Sequence, residues 1–392
     1  MSESSAQHNA RGVLNPMASR IGQQRGLNLL NPYVPGTPIE EVQRQYGLKD
    51  VIKLASNENP LGPSPLAVAA IEDALSKLNY YPDGQSYDLV RALAEHLGPG
   101  IQPEHVAVGN GADGIIMQTC MAFLDEASEV IVSRSSFPVY DIYVNVMRAK
   151  LIKTPLKDFR LDLEAMAQAI TGDTKLIFVC NPNNPTGTIV TAPEVATFME
   201  RVPDHVLVIF DEAYFELVDS AAYPESIAYV REGRENVMIM RSFSKAYGIA
   251  GIRLGYAIAM PQVLAPLHRV KEPFAVNLLA QAAGIAALSD KAFLQKTVAT
   301  NDDGRRFLYA AFDRLGLRYL KSHTNFILVE FGPEACELQQ QLLRQGVIVR
   351  PCVNYDLPDC LRITVGDQAQ NVRLIEALES LLPFSEKARS AE

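Results

Sequence analysis

The stretch His205–Phe215, HVLVIFDEAYF, begins with an unbroken apolar run and turns polar at Asp211. Two similar runs occur upstream, VIVS at 130–133 and LIFV at 176–179, and polar residues follow each of them. A strand with one solvated face alternates apolar and polar residues, whereas a strand of a parallel sheet that is covered on both faces is apolar throughout. These runs therefore predict an α/β fold with a mostly parallel sheet.

Further strand-like runs flank these three, and segments with helical periodicity, such as YDLVRALAEHL at 87–97, separate many of them. After about residue 280 an Ala-rich helix leads into a region that predicts a smaller α+β domain. The strand-like runs are HVAVG (105–109), SEVIVS (128–133), AKLIKTPL (149–156), TKLIFVC (174–180), HVLVIFD (205–211), NVMIMRS (236–242) and LGYAIAM (254–260), then TNFILVEF (324–331), GVIVRP (346–351) and CLRITVG (360–366).

Composition narrows the possible partners and the compartment. A net charge of −9 disfavours a nucleic-acid surface, and no apolar run approaches the length of a membrane span. The chain start has no apolar signal-peptide core, and the five cysteines show no paired spacing, so we expect a cytoplasmic protein with free thiols. The six histidines are scattered, and we expect no metal site.

The motif GNGADG at 109–114 follows a strand-like run and opens a helical one, as in dinucleotide-binding folds. This observation raises the hypothesis of a nicotinamide-dependent oxidoreductase. Such folds need an acidic residue at the end of the next strand to bind the ribose, but Ser133 and Arg134 stand there. A Gly-rich turn at a helix start still predicts a phosphate site, because its free N–H groups and the helix dipole favour anions.

Residues that follow the predicted strands indicate which phosphate is bound. Lys245 follows Ser242 and Ser244 closely, with Arg253 further along in SFSKAYGIAGIRLGY. A lysine at a strand end in a closed site can form a Schiff base, and hydroxyls with an arginine suit a phosphate monoester. Pyridoxal 5'-phosphate is a phosphorylated aldehyde whose pyridinium nitrogen needs an acidic partner, for which Asp211 is the candidate.

Three other residues after strand ends suit the same cofactor. Asn184 in NPNNPTG and Tyr214 in DEAYF could donate to the phenolate oxygen of the ring, and Phe137 could stack on its face.

These motifs, in this order, resemble the fold-type-I pyridoxal-phosphate aminotransferases. The segments LASNENPLGPSP, YYPDGQSYDLVRALA, GVIVRP and LRITVG narrow the resemblance to the histidinol-phosphate aminotransferases, over residues 31–382. The resemblance implies a three-layer sandwich with a mostly parallel sheet and a smaller α+β domain. It implies a flexible arm (1–30), a segment that contributes to the small domain and the dimer interface (31–65), a large cofactor-binding domain (66–280) and a small C-terminal domain (281–392).

The resemblance also implies residue roles. Lys245 would be the Schiff-base lysine that shuttles the proton, Asp211 would pair with the pyridine nitrogen, and Asn184 and Tyr214 would contact the phenolate oxygen. Arg362 would bind the carboxylate of glutamate or 2-oxoglutarate, and Arg350 with Tyr33 would bind the phosphate of histidinol phosphate. The cofactor phosphate would be held by the backbone N–H groups of Ala112 and Asp113, the side chains of Ser242, Ser244 and Arg253, and Tyr81 from the neighbouring subunit of a homodimer with shared active sites.

The resemblance therefore predicts transamination between histidinol phosphate and 2-oxoglutarate, two small molecules. Gly114 and Ala275 depart from the residues expected in this branch and put the amine substrate in question. An aromatic aminotransferase, or a lyase or cyclase on the same scaffold, is the nearest alternative. A non-catalytic regulator on this fold would need an appended DNA-binding domain, for which the residues before Asn31 leave no room.

Overall fold

The computed structural model describes residues 26–27, 30 and 36–382 of the chain. Tyr33 and most of the predicted arm, 1–30, lie outside the described residues. None of the helices in the described part of the chain combines the length and the apolar character needed to cross a bilayer.

Seven strands of the described chain form one mixed sheet in the order β2-β10-β9-β8-β7-β3-β4. All neighbouring strands are parallel except β10, which runs antiparallel to both β2 and β9. The mostly parallel sheet predicted from the apolar runs is confirmed. The strands are β2 (Val106–Asn110), β3 (Glu129–Ser133), β4 (Lys150–Thr154), β7 (Thr174–Cys180), β8 (Leu207–Asp211), β9 (Val237–Ser242) and β10 (Leu254–Ala259).

Helices cover both faces of this sheet, which gives three layers. Alternate residues of β8 belong to two separate apolar clusters, because Val208 and Phe210 pack on one face and Leu207 and Ile209 on the other. This double burial explains why the strand is apolar throughout. One face carries α2 (Pro65–Ala74), α3 (Tyr87–Leu97), α6 (Leu163–Gln168), α7 (Ala192–Met199), α8 (Ile227–Arg231) and α10 (Leu278–Ser289), and the other carries α4 (Gly111–Phe123), α5 (Val139–Val146) and α9 (Pro261–Val270).

The position of β2 argues against the dinucleotide-binding hypothesis. In a dinucleotide-binding unit, the strand before the glycines and the strand after the helix are parallel neighbours. Here β2 pairs with the antiparallel β10, and β10, β9, β8 and β7 lie between β2 and β3.

The run AKLIKTPL, predicted as one strand, divides at Pro155, which has no N–H group. Strand β4 ends at Thr154, and β5 (Leu156–Lys157) pairs with β6 (Arg160–Leu161).

A second sheet has the strand order β1-β13-β14-β12-β11. Its strand β1, from the N-terminal part of the chain, pairs in parallel with β13, while β14 is antiparallel to β13 and β12. The domain boundaries remain a prediction. The strands are β1 (Ile52–Leu54), β11 (Arg318–Tyr319), β12 (Phe326–Glu330), β13 (Val347–Pro351) and β14 (Cys360–Thr364), and the remaining helices are α1 (Ile39–Tyr46), α11 (Lys291–Arg314), α12 (Ala335–Arg344) and α13 (Gln368–Leu381).

Strand β10 and the first turn of α4 approach so closely that glycine is required at their contact. A Cβ atom on Gly255 would lie 2.4 Å from the backbone nitrogen of Ala112 and 2.6 Å from the carbonyl carbon of Gly111. Both atoms are backbone, so the helix would have to move to admit a methyl group. This contact fixes the start of α4 against the sheet.

Replacing Gly255 by Ala should therefore destabilise the protein. We expect Gly255→Ala to lower the free energy of unfolding by about 1 to 3 kcal/mol, the usual cost of overpacking a close contact. Urea denaturation measures the change, and Gly251→Ala is the matched control because a Cβ there meets no heavy atom within 4 Å. Equal stability of the two variants would contradict this account of the contact.

Candidate active site

The carboxyl ends of the parallel strands meet at one edge of the large sheet, where a cavity of about 260 Å³ opens. The structure brings to this cavity all the predicted site residues except two: Tyr33 lies outside the described residues, and Tyr81 lies on the surface. The cavity is lined by Ala112, Asp113, Phe137, Asn184, Asp211, Tyr214, Ser242, Ser244, Lys245, Arg253, Arg350 and Arg362 from the predicted set, and also by Gly36, Ala55, Ser56, Asn57, Glu58, Cys180, Ala213, Ala250 and Tyr355.

Lys245 follows β9 and presents a buried amine to the cavity. Its Nζ donates to the carbonyl oxygen of Ser56 (3.3 Å). Burial, and next the positive charge of Arg362, lowers the pKa of the Lys245 amine to about 8, while Glu58 partly opposes the shift. Roughly a tenth of an amine with this pKa is unprotonated at neutral pH, far more than for an ordinary lysine, and the unprotonated amine is nucleophilic.

Asp211 ends β8 and is also buried. Burial raises the pKa of the Asp211 carboxyl to about 6, although the hydroxyl of Tyr140 donates to Oδ2 (2.5 Å) and favours the anion. Tyr140 stacks on Phe178 with ring centroids 4.5 Å apart and meets Phe137 edge-on at 5.7 Å. Sequence reasoning missed Tyr140, although its place on α5 just after Phe137 brings it to the same site.

Two arginines of the small sheet enter the cavity side by side. Arg350 on β13 and Arg362 on β14 are register partners, and both are buried. Arg350 is only 6% exposed, so its guanidinium is not a solvated surface charge. Arg362 Nη1 donates to Asn184 Oδ1 (2.6 Å), and Nη2 donates to the carbonyl oxygen of Ala55 (2.7 Å). Because a guanidinium only donates, the Asn184 amide nitrogen is left to donate elsewhere.

The other end of the cavity brings together several groups that can donate hydrogen bonds to an anion. Helix α4 begins there with Gly111 in the left-handed region (φ 74°), and a Cβ at this residue would lie 2.4 Å from Arg253 Nη2. Free N–H groups at a helix start, with adjacent hydroxyl groups and a guanidinium, match a phosphate. The donors are the backbone N–H groups of Ala112 and Asp113 with the side chains of Ser242, Ser244 and Arg253.

Asp113 and Arg253 form an ion pair of 2.9 Å at this end of the cavity, and both side chains are partly exposed. The carboxylate of Asp113 therefore accepts from Nη2 at the edge of the guanidinium, and the residues at the start of α4 still line the cavity. The donor set still fits a phosphate monoester, because the serine hydroxyls and the backbone N–H groups carry no competing charge.

Sequence reasoning did not include the loop after β1. Its residues form a wall of the cavity: Ala55, Ser56, Asn57 and Glu58. The carbonyl oxygen of Ser56 accepts from Lys245, and that of Ala55 accepts from Arg362. The Asn57 amide donates to the Tyr214 hydroxyl (2.9 Å). The motif SNENP was noted for its resemblance, but nothing in the spacing of residues 57 and 214 indicates that they touch.

Tyr81 lies outside this cavity, with 81% of its surface exposed, and its ring stacks on Phe274 at 4.7 Å. Among the residues that the structure describes, no three or more His, Cys, Asp or Glu side chains are grouped so that they could hold a metal ion.

Residues 49–378 match the family Aminotransferase class I and II. The chain is 47% identical to a histidinol-phosphate aminotransferase of Moorella thermoacetica, over 95% of this chain and 96% of that protein. It is 45% identical to a histidinol-phosphate aminotransferase of Symbiobacterium thermophilum, over 90% of this chain and 96% of that protein.

Solved structures share the fold. The histidinol-phosphate aminotransferase of Sinorhizobium meliloti, in complex with pyridoxal 5'-phosphate, superposes with a TM-score of 0.83 at 29% identity, over 93% of this chain and 100% of that chain. A mutant aspartate aminotransferase of Thermus thermophilus superposes with a TM-score of 0.80 at 22% identity, over 92% of this chain and 100% of that chain, which shows the fold alone.

The buried carboxyl of Asp211 predicts a pH dependence of stability in the cofactor-free protein. Its pKa is about 6 in the folded state and near 3.8 when exposed, so the protonated form stabilises the fold and this contribution is lost as the pH rises from about 4 to about 6. The Asp211→Asn variant has no group that titrates at this position. We therefore expect its free energy of unfolding, relative to that of the wild type, to rise by about 3 kcal/mol across this pH range. Urea denaturation at a series of pH values measures the difference, and a difference that does not change with pH would count against the buried, protonated carboxyl.

Proposed function

Because the chain belongs to the aminotransferase class I and II family and, within it, to the histidinol-phosphate aminotransferases, we propose that it exchanges the amino group of histidinol phosphate with 2-oxoglutarate, giving imidazole acetol phosphate and glutamate. The protein is a pyridoxal-phosphate-dependent aminotransferase of fold type I. The observation that carries the substrate assignment is the placement of two buried arginines, Arg350 and Arg362, in the cavity that holds Lys245.

The residues of the cavity fit the cofactor at each of its functional groups. When bound, pyridoxal 5'-phosphate supplies an aldehyde that condenses with amines and a ring that accepts an electron pair. Asp211 would bind the protonated ring nitrogen, since a buried carboxylate needs a cation beside it to remain ionised. The phosphate would be bound by the start of α4, Ser242, Ser244 and Arg253, and Phe137 would cover one face of the ring.

Asn184 and Tyr214 would donate to the phenolate oxygen of the cofactor. The direction of the Asn184 bond is supported by Arg362, which takes the amide oxygen and leaves the amide nitrogen to donate. The Tyr214 phenol stays neutral, because burial raises its pKa well above the usual value.

Lys245 would act as the base at the reacting carbon. With a pKa of about 8, its Nζ can accept the proton from the substrate α-carbon and donate it again near neutral pH. The cavity wall formed by residues 55–58 lies against this nitrogen, and its burial favours the uncharged amine, which is the form that can accept a proton.

Two anionic substrates would share one set of cations. Arg362 offers parallel N–H donors that match a carboxylate, and Arg350, with Tyr33, would bind the phosphate of the amino donor. Both arginines are held by strands of the small sheet, so substrate binding would draw that sheet and the cofactor-binding edge together. This shared site accounts for how a dicarboxylate and a phosphate monoester are both accepted.

We also propose that the protein forms a cytoplasmic homodimer with shared active sites, in which Tyr81 reaches the phosphate site of the partner. Support comes from a group of exposed apolar side chains at residues 75–87, close to Tyr81 along the chain, and at Phe274, whose ring stacks on Tyr81. The group consists of Leu75, Leu78, Tyr80, Tyr81, Tyr87 and Phe274. The five cysteines are free, which suits a reducing compartment.

Replacing Arg350 should change the choice of amino donor. We expect Arg350→Ala to lower kcat/KM for histidinol phosphate about 10- to 100-fold through loss of charge-assisted hydrogen bonds, and to leave kcat/KM for phenylalanine nearly unchanged. Steady-state assays with both donors measure the ratio, and Arg318→Ala, at an exposed arginine of the same sheet, is the control. Equal losses for both donors would refute the role of Arg350, and a wild-type preference for phenylalanine would instead favour an aromatic aminotransferase.

Removing the amine of Lys245 should abolish turnover. We expect Lys245→Ala to lower kcat by about four orders of magnitude, because the chain loses both its nucleophile and its base. Borohydride reduction of the wild-type protein with pyridoxal 5'-phosphate, followed by peptide mass spectrometry, should locate the label on Lys245. Full turnover by the variant, or a label on another lysine, is the result that would overturn the assignment.

A further inference from the structure

Asn57 lies between the two sheets and is almost completely buried, with 2% of its surface exposed. Its backbone is in the left-handed region (φ 58°) and is held from both sides: its N–H donates to Thr364 Oγ1 (3.0 Å), and its carbonyl oxygen accepts from Asn325 Nδ2 (2.9 Å). The position of the Asn57 side chain is therefore fixed by elements of the small sheet.

The hydrogen bonds around Asn57 follow one direction, which begins at its backbone N–H group. A backbone N–H always donates, so Thr364 Oγ1 is an acceptor there, and the Thr364 hydroxyl proton goes to Asn57 Oδ1 (3.1 Å). The amide oxygen is thereby occupied, and the amide nitrogen faces the Tyr214 hydroxyl at 2.9 Å. A reversed amide would place its nitrogen against Thr364 Oγ1, so the Thr364 proton would lose Asn57 Oδ1 as its acceptor, which is unfavourable in a buried site.

The same direction continues at Tyr214. Its hydroxyl oxygen accepts from Asn57, and the structure shows no hydrogen bond donated by this hydroxyl to any described residue. The ring cannot turn away, because it is buried and packs edge-on against Phe326 with centroids 5.3 Å apart. Tyr214 lines the cavity, so its O–H hydrogen is available to an acceptor there.

We propose that Asn57, oriented by Thr364, is a positioning residue that keeps the Tyr214 hydroxyl a hydrogen-bond donor towards the phenolate oxygen of the cofactor. This inference rests on the proposed function, since it assumes that pyridoxal 5'-phosphate occupies the cavity. The backbone N–H of Asn57 thus determines, through Thr364 and the Asn57 amide, where the hydroxyl proton of Tyr214 lies.

Two pairs of variants test the direction of the chain. Asn57→Asp replaces the donating amide with a carboxylate that accepts from Tyr214, and aspartate tolerates the left-handed backbone as asparagine does. Thr364→Val removes the hydroxyl that orients the amide without changing charge, whereas Thr364→Ser keeps that hydroxyl. Asn59→Asp adds the same charge in the same loop, at an amide that bonds to Ala246 and Thr297 and not to Tyr214.

Two measurements report on the cofactor without relying on turnover. One is the pH midpoint of the visible absorbance change of the loaded protein, and the other is the Kd for pyridoxal 5'-phosphate from titration of cofactor-free protein. A donor to the phenolate stabilises its anion, so losing the donor should raise the midpoint by about one pH unit and weaken binding about tenfold. We expect these changes in Asn57→Asp and Thr364→Val, and wild-type values in Thr364→Ser and Asn59→Asp.

A double-mutant cycle separates positioning from a merely structural effect. In a Tyr214→Phe background, Thr364→Val should leave the midpoint unchanged, because there is no hydroxyl left to orient. A shift that persists in this background, or identical behaviour of Thr364→Val and Thr364→Ser, would overturn the inference. If the wild type neither binds pyridoxal 5'-phosphate nor shows a visible band, the proposed function itself fails, and that outcome is distinct from a failure confined to Asn57.

Discussion

The burial of the Lys245 amine at the carboxyl edge of the large sheet is the constraint on which the site depends. Removing an amine from water disfavours its charged form, and the neighbouring arginines act in the same direction. The cavity gathers Lys245, Arg253, Arg350 and Arg362 in a chain whose net charge is −9. The lining also holds the carboxyl groups of Glu58, Asp113 and Asp211, but its three guanidinium groups can bind anions, so the arrangement that lowers the pKa of the amine also favours phosphorylated and carboxylated ligands.

Three side chains that line the cavity each accept a hydrogen bond from a neighbouring side chain. Tyr140 donates to Asp211, Arg362 donates to Asn184, and Asn57 donates to Tyr214. In each case the donor occupies an oxygen of the facing group, which leaves the other carboxylate oxygen of Asp211, the amide nitrogen of Asn184 and the hydroxyl hydrogen of Tyr214 for a ligand. The site is thus specified by hydrogen-bond direction as well as by the positions of its atoms.

The large sheet could be predicted well from the sequence, because strands that are buried on both faces consist of consecutive apolar residues. The run HVLVIFD corresponds to β8, Leu207–Asp211, and the residues that follow such strands meet at one edge. The antiparallel direction of β10 could not be predicted, since LGYAIAM is equally apolar in either direction. Tyr140 and Asn57 were missed for a related reason: they bond to residues 71 and 157 positions away, and no local pattern records such contacts.

The loop after β1, near the beginning of the chain, forms one wall of the cavity. Two residues near the end of the chain hold this loop: Thr364 bonds to Asn57 and Arg362 bonds to Ala55, and each pair is separated by 307 positions. During synthesis on the ribosome, the strands that carry Asp211 and Lys245 emerge well before β14. A chain that has been synthesised only as far as Lys245 therefore lacks Arg350 and Arg362, and nothing yet holds the loop of residues 55–58 against the cavity. The site is therefore completed only when β14 is in place, because a chain that ends before this strand lacks both Arg362 and the bonds that hold the loop.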